Sequence, residues 1–91
     1  MVYKFLNVTD ELTSKKNPDS KFHIVSVLRK AGSRDNVRGT VVCDQLFISP
    51  DKLKLFSGCS SGDDIELVYE DYGRYRELVD VNFANDPAIE I

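Results

Sequence analysis

Residues 21–30, Lys-Phe-His-Ile-Val-Ser-Val-Leu-Arg-Lys, constrain this chain more than any other stretch. They are rich in β-formers, with Phe22, Ile24 and Leu28 on one side and His23, Val25 and Val27 on the other. A strand apolar on both sides belongs in the middle of a covered or closed sheet. The side carrying Phe22, Ile24 and Leu28 reads as the core face, so Phe22 is expected inside rather than as an exposed ring.

The other segments supply partners for that strand. Residues 2–8 mix apolar and polar positions around Val2, Tyr3, Phe5 and Val8 and read as a first strand. Residues 9–20 are polar and carry Asn17-Pro18-Asp19, a turn signal because proline presets φ and Asn or Asp folds onto its own backbone. After the turn at 31–36, residues 37–48 read as a second long strand in which Gly39 marks a bulge or bend. Ser49-Pro50-Asp51 then combines an N-cap hydroxyl, a proline for the first helical position and a first-turn acid. Leu53 and Phe56 fall three apart, which predicts one or two helical turns, and Gly58 is expected to end them in a left-handed conformation. Strands are predicted again at 64–70 and 74–83, followed by a short tail at 84–91.

The order is three strands, a short helix and two strands. It predicts an all-β domain over residues 1–83, arranged as a five-stranded OB-like barrel with the helix between strands three and four. An SH3-like barrel and a split α+β sheet are the rivals. The 91-residue length suits one domain with a modest core.

With that layout, Thr13-Ser14-Lys15-Lys16 before a proline, "SGDDIELVY" leading into the fourth strand and "YGRYRELVDV" as the closing hairpin resemble the small OB-type single-stranded-DNA-binding proteins of phages and mobile elements. The resemblance implies a ligand lying across strands two and three, flanked by the one-two and four-five loops. Lys15, Lys16, Lys21, Arg34 and Arg38, with Tyr72 and Arg74 in the last turn, are then the candidate nucleic-acid-binding residues. The basic groups would meet phosphates, and Tyr72 with Phe22 or His23 would stack on bases. Tyr69 and Tyr75 read instead as a cross-strand aromatic pair.

Charge supports a polarised surface. Residues 1–42 hold eight basic groups against four acids, whereas residues 43–91 hold four against eleven, for a net charge of −3. One side of such a domain can face an anion while the other cannot. The same acidic half supports a second reading, a small protein-binding adaptor or inhibitor, including one that mimics nucleic acid.

Catalysis and metals find little support. Cys43, Cys59 and the lone His23 show no metal-ligand spacing, so neither a zinc site nor any other cofactor is expected. Neighbouring carboxylates such as Asp63–Asp64 and Glu70–Asp71 point to opposite faces of a strand. No P-loop, dinucleotide glycine pattern or nucleophile elbow occurs. Both thiols are expected reduced, with Cys43 buried in its apolar run and Cys59 accessible in a Gly/Ser loop. No apolar run reaches the ~20 residues of a membrane span, and the start of the chain lacks leader features. The expectation is a cytoplasmic, non-enzymatic binder of single-stranded nucleic acid, accessory to phage or plasmid replication and with a replication protein as a further partner.

Overall fold

A computed structural model describes residues 2–36, 38–85 and 87. Its elements run β1 (Val2–Val8), β2 (Leu12–Thr13), β3 (Lys21–Lys30), β4 (Val41–Ile48), a 3-10 helix (Pro50–Phe56), β5 (Asp64–Asp71) and β6 (Arg76–Phe83). Every ladder is antiparallel. β3 takes β4 along one edge and both β1 and β2 along the other, and β1 leads on to β5 and β6. No helix among the described residues is long and apolar enough to cross a membrane.

The sheet curls without closing. β1 fits one extra residue, Leu6, between its pairs Phe5↔Val27 and Asn7↔Ser26, and β6 fits Val79 between Val68↔Asp80 and Tyr69↔Leu78. Such bulges bend a strand and increase its twist. Yet no ladder joins β4 to β6 among the described residues, so the expected barrel is instead an open sheet. The 3-10 helix stands at that opening, packing against β6 and β3. Its Phe56 stacks on Phe5 with ring centroids 6.1 Å apart, and Lys52 pairs with Glu77 of β6 at 2.9 Å.

The core is Phe5, Val25, Val27, Ile48, Phe56, Ile65, Leu67 and Leu78, with His23 also buried. This reverses the expected orientation of β3. The side carrying His23, Val25 and Val27 is inside, and the side carrying Phe22, Ile24 and Leu28 is half-buried. A buried imidazole needs a partner, and the Thr9 backbone supplies it: His23 Nδ1 donates to the Thr9 carbonyl at 2.9 Å. The Thr9 hydroxyl accepts from Ile24 N–H at 3.0 Å, which locks β1 onto β3 at the same place. His23 therefore cannot stack on a ligand.

Local signals are met unevenly. Asn17 O accepts from Ser20 N–H, and Asn17 Oδ1 accepts from Asp19 N–H, so the predicted turn is present. It closes a hairpin that begins with β2, a strand hidden within the polar stretch. β4 starts only at Val41; Val37 lies outside the described residues, and Gly39, at φ +116°, belongs to the preceding loop rather than to a bulge. Ser49 makes no capping bond, because its hydroxyl turns to the Asp51 carboxylate. The helix ends at Ser57 in right-handed geometry, and Gly58 is not left-handed. Of the tail, residues 86 and 88–91 lie outside the described residues.

The thiols exchange their expected environments. In β4 the odd positions, Val41, Cys43, Gln45 and Phe47, face out, so Cys43 is exposed despite its apolar neighbours. Cys59 is half-buried, and burial, then Asp63, pushes its thiol up. The thiolate is the reactive form. A thiol reagent should therefore modify Cys43 of the native protein faster than Cys59; equal rates or the reverse order would contradict this assignment.

Candidate functional site

The outward face of β3 and β4 is strongly apolar. Antiparallel partners point to the same side of the sheet, so the pairs Ile24↔Phe47 and Leu28↔Cys43 lie on it together with Phe22. Leu12, opposite Phe22 on β2, extends this surface. The Phe22 and Phe47 rings lie 5.8 Å apart, and Phe47 is 71 % exposed. Lys15 joins Leu12, Phe22 and Phe47 around a shallow hollow.

Phe47 also lines a second hollow, with Lys52, Tyr75 and Arg76 on its far side. Tyr75 in turn stacks on Tyr72 with centroids 5.4 Å apart, and both rings are exposed. An aromatic shelf thus runs Phe22, Phe47, Tyr75, Tyr72, from the Lys15-Lys16 hairpin to the β5–β6 turn. That turn is tight. Tyr72 N–H donates to Tyr75 O at 2.9 Å, and Arg74 N–H donates to Tyr72 O at 3.1 Å around Gly73 at φ +85°. The positive φ is that of a γ-turn, which glycine adopts without a side-chain clash.

The expected Tyr69–Tyr75 pair is not formed. Tyr69 lies under the Arg76 guanidinium at 5.1 Å, and Tyr75 pairs with Tyr72 instead. The Tyr72 hydroxyl donates to the Glu70 carboxylate, a bond that pushes the phenol above its ordinary pKa. Nearby acids are similarly engaged: Glu77 by Lys52, and Asp71 by the Gly73 N–H at 3.2 Å.

Of the seven candidate residues, five gather at this end of the molecule. Lys15 and Lys16 are exposed at the β2–β3 hairpin tip, and Lys21 begins β3 with its amine on Thr13 Oγ1 at 2.8 Å. Tyr72 and Arg74 stand across Phe47 and Tyr75 from them. Arg34 and Arg38 do not join: they are exposed in the β3–β4 loop, at the opposite end of a ten-residue strand. At about 3.3 Å per residue, that is roughly 30 Å away.

Phe47 is the exposed ring that sequence reasoning missed, and Tyr75 reads in the sequence only as half of a cross-strand pair. Phe22, weighed both as core and as a stacking ring, is half-buried at the shelf's edge. A signal existed for Phe47, since Leu46, Phe47 and Ile48 cannot all face one side of a strand. The chain matches no family model, no curated protein and no solved structure, so geometry alone carries the functional reading.

Arg29, another basic residue beside the β3–β4 loop, is occupied. Its guanidinium bonds both Asp35 carboxylate oxygens at 2.8 Å and also reaches Asp44. The hydrogen bond from Arg29, then one from Gly32 N–H, holds the Asp35 carboxyl well below the usual carboxylate range. A lowered folded pKa contributes stability above the unfolded value of about 3.9 and loses it as pH falls toward the folded one. Urea unfolding at pH 7 and pH 3 should show a smaller acid loss for Asp35→Asn than for the wild type. Equal losses would count against the cluster.

Proposed function

We propose that this chain is a non-enzymatic single-stranded nucleic-acid-binding protein with a partly open OB-like layout. One observation carries the reading: a shelf of aromatic rings, exposed Phe47, Tyr75 and Tyr72 beside half-buried Phe22, lies between two turns bearing exposed cations. Rings of this kind stack on bases of any sequence, and flanking Lys and Arg meet the phosphates. A duplex hides its base faces, so the shelf favours single strands.

The strand pairings support the OB-like layout. The ladders β1–β3, β3–β4, β1–β5 and β5–β6, with the helix after β4, suit a barrel whose last seam is unzipped. OB-folds are partly open barrels that bind on the face of their second and third strands, between the one-two and four-five loops. The shelf occupies the corresponding region here. The net negative charge is a weaker objection than the total suggests, because Glu77 beside the shelf is offset by the Lys52 amine and the Lys15-Lys16 end of the shelf carries exposed cations.

Fluorescence anisotropy with labelled single-stranded oligonucleotides tests the reading. Phe47→Ala should weaken binding by about 1–3 kcal/mol, the usual cost of losing one stacked base. Replacing Lys15 and Lys16 by Ala should reduce the log–log salt slope by roughly 1.4, at about 0.7 per phosphate contact on a single strand. Replacing Arg34 and Arg38 should leave the affinity for a short oligonucleotide unchanged. Absence of binding to DNA and RNA at low salt would reject the proposal and favour a protein partner.

A further inference from the structure

An open sheet has edges, and the two long ones here differ. β6 is guarded, carrying Arg76, Glu77 and Asp80 and a bulge at Val79. β4 is not. Its eight residues include no Lys, Arg, Pro or Gly, and its register with β3 is unbroken from His23↔Ile48 to Lys30↔Val41. Its single charge, Asp44, is already bound by Arg29. Native sheets usually protect exposed edges with charges, prolines, bulges or very short strands. β4 presents a straight, neutral, undefended edge whose outer side chains include exposed Val41, Cys43, Gln45 and Phe47.

We propose that β4 pairs antiparallel with β4 of a second copy of this chain about a two-fold axis at Gln45, joining the two sheets into one. Symmetry narrows the register. Keeping both cores on the same side requires the axis to pass through a residue, so that paired side chains share a face. An axis at Asp44 would set two carboxylates directly opposite each other, an unfavourable arrangement. An axis at Cys43 leaves Phe47 unpaired and keeps only residues 41–45 of each β4 in the ladder, and one at Leu46 keeps only 44–48, whereas an axis at Gln45 pairs 42–48. At Gln45, Cys43 lies opposite Phe47 of the other copy and Asp44 opposite Leu46, each contact occurring twice as an isologous interface demands. A neutral edge has no charge with which to select an acidic or basic peptide, whereas β4 is itself a strand of the required kind. The proposal does not rest on nucleic-acid binding, although Phe47 belongs to both surfaces.

Sedimentation equilibrium from micromolar to millimolar protein tests it, with far-UV circular dichroism as the folding control. The wild type should reach twice the 10.3 kDa chain mass. Gln45→Lys, at an exposed position, places two ammonium groups on the axis and should return the protein to the monomer mass with an unchanged spectrum. Gln45→Cys in a Cys43→Ser background should form a disulfide-linked dimer under mild oxidation, because cross-strand Cβ atoms lie within bonding reach. A wild type that stays monomeric throughout, a dimer that survives Gln45→Lys, open-ended aggregation in place of a dimer, or a Gln45→Cys variant that does not cross-link would each overturn the proposal.

Discussion

The contact of Phe56 with Phe5 holds together a sheet that its own ladders leave open. An open curled sheet leaves its core unsealed between β4 and β6, and hydrophobic side chains there would face water. The 3-10 helix follows β4 directly and drives Phe56 into that opening, against Phe5 from β1. The Lys52–Glu77 pair ties the same helix to β6. Side-chain packing thus seals the core where backbone ladders do not. Burial of a Phe side chain is worth about 1.5–3 kcal/mol, so one ring in the right place is a large part of a small domain's margin.

The docking of this helix also decides which side of the sheet is the inside. Once Phe56 joins Phe5, Val25, Val27 and Ile65 in the core, the opposite side of β3 and β4 stays half-buried to exposed. Phe22 and Phe47 are left on an outer surface, where they can act on a ligand. His23 is carried inward and must find a polar partner, which the Thr9 carbonyl provides. Core formation and site formation are therefore one event in this domain.

Electrostatics follow from local pairing rather than from net charge. Asp35 and Asp44 bind Arg29, Glu77 binds Lys52, and Glu70 accepts from Tyr72. Of these, the Lys52–Glu77 pair offsets a charge beside the shelf, whereas Glu70 keeps its charge while accepting from the phenol. The exposed cations at Lys15, Lys16 and Arg74 lie at the ends of the shelf. Exposed charges of this kind act within a Debye length of about 8–10 Å at moderate salt, so their position beside the rings matters more than the overall charge of the chain.

Much of what depends on neighbours along the chain was legible in the residues themselves, although the Ser49 cap, the Gly39 bulge and the left-handed Gly58 were not met. The strand segments around 2–8, 21–30, 64–70 and 74–83 follow from β-formers and turn residues, the Asn17-Pro18-Asp19 turn from its side-chain chemistry, and the helix start from Ser49-Pro50. The buried face of β3, the closure of the sheet and the pairing of the tyrosines were settled by the folded chain instead. A two-residue period defines two faces of a strand, and when both are apolar, as in residues 22–28, nothing local distinguishes them. The distinction comes from a helix some thirty residues later. Closure likewise depends on whether β4 and β6 meet, a contact between segments far apart in the chain. Candidate cations could be named from the residues alone, but bringing Lys15 and Tyr72 to one surface while leaving Arg34 and Arg38 at the far end required the folded sheet.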